Sequence, residues 1–108
     1  MNFGTVTAVM KSFIERLIPF AWWPWGTAAP KVRNDKKTKR AVILVSSAAP
    51  SFLARVSSKM VKLLKDSAGL LGAQTLGILF IGLAAMNEKQ EISSRTKQKA
   101  RSLGKRLV

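Results

Sequence analysis

The sequence contains neither cysteine nor histidine. Without cysteine the chain cannot form a disulfide, ligate an iron–sulfur cluster through thiolates or use a cysteine nucleophile. Without histidine it cannot supply by itself a Ser-His-Asp catalytic site or a histidine-ligated metal centre. Its 5 acidic residues are scattered along the chain and form no convincing metal-binding cluster. The sequence therefore predicts no metal site and no catalytic side chain.

Acidic residues are also few in comparison with basic ones. There are 19 Lys and Arg residues against 5 Asp and Glu, which gives a net charge of +14 and a pI of about 11.4. Such a charge favours polyanions such as nucleic acid or acidic lipid. However, the basic segments 31–40 and 89–106 contain no interleaved aromatic residues, and no nucleic-acid recognition module is present. Specific nucleic-acid binding is therefore not expected, and both segments are interpreted as solvated surface.

The length and the N-terminal residues indicate one cytoplasmic domain. At 108 residues, 47% of them hydrophobic, the chain suffices for one packed domain spanning 1–108 and not for two. Residues 1–10 lack the basic region and long apolar run of a signal peptide, which favours the cytoplasm.

Three stretches have the periodicity of amphipathic helices, with apolar residues at steps of three and four. They cover residues 5–20, 51–71 and 91–107. Thr5 is expected to cap the first helix and Pro19 to close it. The expected apolar faces consist of Val6, Val9, Met10, Phe13, Ile14 and Leu17, then Phe52, Val56, Met60, Leu63 and Leu64, and finally Ile92, Leu103 and Leu107. Gly69 and Gly72 are expected to end the second helix.

Two continuous apolar runs, 41–45 and 75–84, are typical of strands buried on both faces. The order of elements is then α-β-α-β-α, which predicts an α/β fold with a parallel sheet covered by helices on both sides. Residues 41–46 and about 75–83 are expected to be neighbouring parallel strands. Two strands alone do not make a stable sheet, so a further strand is expected from upstream or from another chain.

Residues 68–86 carry no charge and are long enough to cross a bilayer as a helix. The alternative is the end of a helix, a turn and a buried strand in succession. Glycines at positions 69, 72, 77 and 82 weaken a helix and favour this alternative. A membrane span is therefore considered and not preferred.

Three motifs follow one another along the chain. NFGTVTA at 2–8 precedes KSFIERL at 11–17, RAVILVSSAAP occupies 40–50, and LLGAQTLGILFIG occupies 70–82. In this order they resemble the flavodoxin-like family of NAD(P)H-dependent flavin reductases, over nearly the whole chain except the tryptophan-rich and basic loop 21–40. The resemblance implies the C-terminal part of a flavodoxin-like doubly wound parallel sheet.

The resemblance further implies a site for FMN, with NAD(P)H as the electron donor. Ligands in open α/β sheets bind beyond the carboxyl ends of the strands, where two small-residue loops are expected to lie. The residues implied to contact the isoalloxazine ring are Phe3, Gly4, Thr5 and Val6 on one side and Ser46, Ser47 and Ala48 on the other. The alternative is that Thr5 only caps a helix and that Ser46 and Ser47 only end a strand.

The family's phosphate-binding turn, of the type Gly-Ser-x-Arg, does not occur in the sequence. In the family this turn follows the first strand, which would lie upstream of Met1. The chain is therefore expected to be truncated or naturally short, and to bind FMN weakly or not at all. An exposed sheet edge is expected to favour self-association. The alternative to an oxidoreductase is a non-catalytic interaction remnant of the same fold.

The tryptophans form the densest aromatic cluster of the sequence. Trp22, Trp23 and Trp25 lie within four positions of one another, in the predicted loop 21–40. They are candidates for stacking on flavin or nicotinamide and for burial in a homo-oligomer interface, where tryptophan is enriched. The interface is the preferred interpretation, because a loop with three tryptophans usually packs against something.

We predict that any binding to nucleic acid is weak, independent of base sequence and sensitive to salt, because it depends on net charge alone. Gel-shift titrations with several duplexes at two salt concentrations measure this. One duplex preferred by several kcal/mol at physiological salt would contradict the prediction.

Overall fold

Two long strands lie at the centre of the fold. The structure is a computed structural model, and it describes residues 5–50, 59–89 and 91–108. In chain order its elements are α1 (Ala8–Glu15), a 3-10 helix (Ile18–Phe20), β1 (Ala21–Trp22), β2 (Lys31–Val32), β3 (Lys39–Ser46), α2 (Met60–Leu70), β4 (Ala73–Ile81) and α3 (Ser94–Leu107).

Strands β3 and β4 pair in parallel, as predicted. The pairing begins with Lys39 opposite Ala73 and ends with Ser46 opposite Ile81, with one shift in register after Ala41. Both strands begin two residues before the apolar runs, at Lys39 and Ala73, and β4 ends at Ile81, before the predicted end at about residue 83. The described residues thus form a mixed α/β fold, in which a two-stranded parallel sheet is accompanied by three helices.

The core lies on one face of this sheet. It consists of the buried side chains of Val6, Ile43, Val45 and Met60, with Ile14, Leu64, Ile78 and Phe80 partly buried against them. Ile43 and Val45 are two positions apart, as are Ile78 and Phe80, so each pair projects from the same face of its strand. Helices α1 and α2 therefore cover the same face.

Helix α3 covers the opposite face, mainly over β4. Leu103 of α3 is buried against Gly77, where a Cβ atom would lie 2.5 Å from Cδ2 of Leu103. Nη1 of Arg40 donates to the carbonyls of Arg106 at 2.9 Å and Val108 at 3.2 Å, which fastens the last turn of α3 to the start of β3. A guanidinium satisfies terminal helix carbonyls and complements the helix dipole.

Helix α1 is shorter than predicted. Thr7, not Thr5, is its N-cap, because Oγ1 of Thr7 accepts a hydrogen bond from the N–H of Met10 at 3.3 Å. The helix ends at Glu15, and Pro19 lies in the 3-10 helix that follows. A proline at position 19 ends the α-helix earlier than expected, since its ring would clash with the carbonyl of Glu15.

The predicted apolar face of the first helix is only partly buried. Leu17 and Val6 are buried and Ile14 is partly buried. The other members of that face are exposed, namely Val9 (82%), Met10 and Phe13. Periodicity identified the helix correctly, but fewer residues of its apolar face are buried than predicted.

The second helix is described from Met60 to Leu70, and residues 51–58 of the prediction, with Phe52 and Val56, lie outside the described residues. Gly69 lies within α2 and does not end it. Gly72 follows the helix with φ +73°, and its N–H donates to the carbonyl of Gly69 at 2.9 Å. Only Gly72 has the left-handed conformation that makes glycine a helix terminator.

The third helix begins at Ser94 rather than at residue 91. Oγ of Ser93 accepts a hydrogen bond from the N–H of Thr96 at 3.3 Å and caps the helix. Of the predicted apolar residues Leu103 is buried, while Ile92 and Leu107 are exposed. A single buried leucine is therefore the main apolar anchor of α3.

The segment 68–86 is not a continuous helix. Its first residues end α2, a turn follows at residues 71–72, and β4 takes up Ala73–Ile81. This confirms the interpretation of these residues as a helix end, a turn and a strand. Within the described ranges no helix has the length and apolar character that crossing a bilayer requires.

We predict that Gly77→Ala lowers the free energy of unfolding by up to about 1 kcal/mol, because the terminal methyl of Leu103 must shift away from the new Cβ atom. Urea unfolding followed by circular dichroism measures the loss. The double variant Gly77→Ala with Leu103→Ala should lose less stability than the sum of the two single losses, since the two sites are in contact.

Gly104→Ala is the matched control. It lies next to Leu103 on α3, and its Cβ would meet nothing within 4 Å. It should raise stability by up to about 1 kcal/mol through helix propensity. Equal effects of the two glycine substitutions would show that the close approach at Gly77 does not limit stability.

Candidate functional site

The loops that follow β3 and β4 are joined by backbone hydrogen bonds at the carboxyl end of the sheet. Ser47 donates from its N–H to the carbonyl of Ile81 at 2.9 Å and accepts at its carbonyl from the N–H of Ala84 at 2.9 Å. The N–H of Leu83 donates to the carbonyl of Ala49 at 3.1 Å. The ladder thus continues past both strands and holds the predicted loop 46–50 in a defined position.

Of the three residues predicted on this loop, Ser47 has a structural role. It is buried, and its Oγ accepts a hydrogen bond from the N–H of Ala49 at 3.0 Å. Ser46, the last residue of β3, and Ala48 are exposed. The geometry of Ser47 agrees with the alternative that this serine ends a strand, while its two neighbours are accessible to a ligand.

The N-terminal part of the predicted site is described from Thr5 onward, and Phe3 and Gly4 lie outside the described residues. Thr5 is exposed and forms an isolated β-bridge. The side chain of Val6 is buried in the core. Thr5 is therefore not the helix cap, and Val6 offers a ligand little beyond its backbone and the edge of its side chain.

A groove of about 180 Å³ lies where the two predicted loops meet. Its lining residues are Val6, Thr7, Met10, Leu44, Val45, Ser46, Met60 and Leu64. Two predicted site residues, Val6 and Ser46, are thus brought together, whereas Thr5, Ser47 and Ala48 do not line the groove. Thr7, Met10 and Leu44 were missed by sequence reasoning, although alternation along β3 places Leu44 and Ser46 on one side of the strand.

The chemistry of this groove is simple. Thr7 and Ser46 contribute hydroxyl groups, and the remaining lining side chains are apolar and contain no titratable group. Small-molecule pockets usually measure about 300–1,000 Å³, so the groove accommodates part of a flat ring rather than a whole dinucleotide. Its described residues provide van der Waals contact and hydrogen bonds.

Two other cavities contain cationic residues that the sequence did not single out as a site. One of about 400 Å³ lies beside β4 between α2 and α3, and its lining includes Lys65, Thr75 and Lys99. The other, of about 530 Å³, separates the β1–β2 hairpin from the end of α2, and its lining includes Lys37 and Asp66. Of the predicted flavin-contacting residues that the structure describes, none lines either cavity.

No protein-family model, curated protein or solved structure matches this chain. The likeness to flavin reductases thus stays a prediction based on the three sequence motifs. Among the residues that the structure describes, no group of three or more acidic side chains is placed to hold a metal ion.

We predict that Ser47→Ala lowers the free energy of unfolding by about 1–2 kcal/mol, because the partly buried N–H of Ala49 loses its acceptor. Thermal and urea unfolding measure the change. The control Ala48→Ser adds a hydroxyl at the neighbouring exposed position and should alter stability by less than about 0.5 kcal/mol. An unchanged Ser47→Ala stability would mean that this hydrogen bond does not hold the loop.

Proposed function

We propose that this chain is a flavodoxin-like module that contacts the isoalloxazine ring of FMN in NAD(P)H-dependent flavin oxidoreduction. The observation that carries the proposal is the meeting of Val6 and Ser46 in one groove beside the carboxyl-terminal half of β3. These residues are 40 positions apart and were implicated separately, each by its own motif.

The arrangement of layers supports the proposal. In a doubly wound fold helices cover both faces of a parallel sheet, and ligands bind beyond the carboxyl ends of its strands. Here α1 and α2 share one face of the β3–β4 pair and α3 lies on the other. The groove borders Leu44, Val45 and Ser46, at the carboxyl end of β3.

The groove suits the ring of FMN better than its phosphate. Apolar side chains of Met10, Leu44 and Leu64 provide contact for a flat aromatic system, and the hydroxyl of Thr7, which accepts from the N–H of Met10, can donate a hydrogen bond to its polar edge. A phosphate dianion requires several N–H donors or cations, and none of the described residues that line the groove is Lys or Arg. A bound flavin supplies the hydride chemistry, and these residues orient its ring.

A non-catalytic interaction module is the second candidate, and the groove beside β4 favours it. That groove runs along the outer side of β4 and has Lys65 and Lys99 on its two flanking helices. An edge strand can take up an extended segment of another chain. The two lysines favour an acidic segment over a second copy of this chain, whose net charge is +14.

We predict that FMN binds with a Kd weaker than about 1 μM, since the protein contacts the ring and makes no contact with the phosphate. Quenching of flavin fluorescence in a protein titration measures the affinity, and light scattering on the same sample reports self-association. A monodisperse monomer with sub-micromolar affinity would contradict this prediction.

A matched pair of variants tests the location. Ser46→Trp fills the groove and should weaken FMN binding at least about fivefold, or about 1 kcal/mol. Ala48→Trp adds the same side chain two residues away, outside the groove, and should leave binding unchanged. Equal losses, or none, would place the ring elsewhere, and no FMN binding by the unmodified chain would favour the interaction module.

A further inference from the structure

A short hairpin presents large apolar side chains to solvent. The 3-10 helix leads into β1, and β1 pairs antiparallel with β2, with Trp22 opposite Lys31. At the end of this hairpin Trp23 is 61% exposed and Trp25 is fully exposed. Exposed aromatic residues continue toward its base with Phe20 and Trp22. Residues 21–40 are thus more than the predicted loop.

The conformation of this hairpin is held by its own hydrogen bonds. The N–H of Arg33 donates to the carbonyl of Phe20 at 2.9 Å, and Nε of Arg33 donates to the carbonyl of Pro19 at 2.8 Å. Oγ1 of Thr27 donates to the carbonyl of Pro24 at 2.9 Å. The exposed tryptophans are therefore presented on a closed turn and do not depend on packing for their position.

The indole N–H of Trp23 already has a hydrogen-bond partner within the hairpin. Its Nε1–H donates to the carbonyl of Thr27 at 2.9 Å. Burying a polar donor without a partner costs free energy, and this internal bond removes that cost for Trp23. Its ring can therefore leave water while its N–H remains hydrogen-bonded.

The charge around the hairpin is mostly positive, although Asp35 and Asp66 line the cavity between the hairpin and α2. Residues 16–34 contain no Asp or Glu but include Arg16, Lys31 and Arg33, and four more basic residues follow within 36–40. The single carboxylate between them is Asp35. The hairpin thus has apolar side chains at its tip and cationic side chains at its other end. Apolar insertion and electrostatic attraction are two of the forces that hold proteins on acidic bilayers.

We propose that the hairpin of residues 18–33 docks this protein on the surface of an anionic phospholipid bilayer. The tryptophans enter the interfacial layer, where such side chains are enriched in membrane proteins, and the basic residues contact the head groups. A second copy is the less suitable occupant because two chains of charge +14 repel each other. This inference does not depend on the flavin proposal, whose groove contains no tryptophan.

Intrinsic tryptophan fluorescence can report on this contact. All three tryptophans lie in the hairpin and the sequence has no tyrosine, so tryptophan emission reports on the hairpin alone. Vesicles of equimolar phosphatidylglycerol and phosphatidylcholine should shift the emission to the blue, and brominated lipid should quench it. Phosphatidylcholine vesicles should give little change. A substantial part of the shift should persist at about 0.5 M salt, where purely electrostatic binding is screened.

Variants separate insertion from charge. Trp25→Ser should lower partitioning to anionic vesicles at least about fivefold, because Trp25 supplies exposed apolar surface at the tip. Met86→Ser is the control, since Met86 is 69% exposed outside the hairpin, and should leave partitioning unchanged. Two double variants remove the same charge at different places. The pair Lys36→Gln and Lys37→Gln, next to the hairpin, should weaken binding more than the pair Lys97→Gln and Lys105→Gln on α3.

Three results would overturn the proposal. The first is binding without a blue shift that disappears at high salt, which would indicate charge alone. The second is a blue shift that rises with protein concentration in the absence of lipid, which would indicate a second copy. The third is a single-stranded oligonucleotide that shifts and quenches the emission at lower concentration than the vesicles do. Circular dichroism of each variant verifies that the fold is retained.

Discussion

Parallel strands cannot be joined by a tight turn, so the pairing of β3 with β4 requires the long connection that carries α2. That connection returns α2 across the sheet and buries Met60 against Ile43 and Val45. On the other face, β4 presents Gly77 at the point where Leu103 of α3 approaches. Both helices thus take their positions from the same ladder, and the groove at Ser46 lies at its carboxyl end. A change that separated β3 from β4 would remove the core and the candidate site together.

The positions of the strands were the most predictable part of the fold. Their predicted burial on both faces is wrong for β3, because Leu44 is 69% exposed. The helices were less predictable at their ends. Thr5 and Thr7 both suit an N-cap, and only the hydrogen bond to Met10 distinguishes them. Gly69 and Gly72 both suit a helix end, and only Gly72 takes a positive φ. These choices depend on local geometry that residue type does not determine.

The candidate site was predictable only in part, for a related reason. A sequence motif consists of neighbouring residues, but the side chains of neighbouring residues in a strand project from opposite faces. Ser46 reaches the groove, whereas Ser47 turns inward and holds Ala49. Met10 and Leu44 border the groove because α1 and β3 meet there, which no local pattern in the sequence indicates. The hairpin around the tryptophans was equally inaccessible, since composition does not indicate the hydrogen bonds that close it, such as that from Arg33 to Phe20. The predicted tryptophan interface stays a prediction.

The spacing of the paired residues has a consequence for how the chain folds. Partners in the β3–β4 ladder are 34 or 35 positions apart, as between Lys39 and Ala73 or Ser46 and Ile81. Partners in the hairpin, such as Trp22 and Lys31, are 9 positions apart. Closing the longer loop between β3 and β4 costs more chain entropy, and this cost precedes the stabilising contacts of the ladder. The hairpin should therefore form within microseconds and the ladder later, so that tryptophan emission and far-UV dichroism would follow different kinetic phases during refolding.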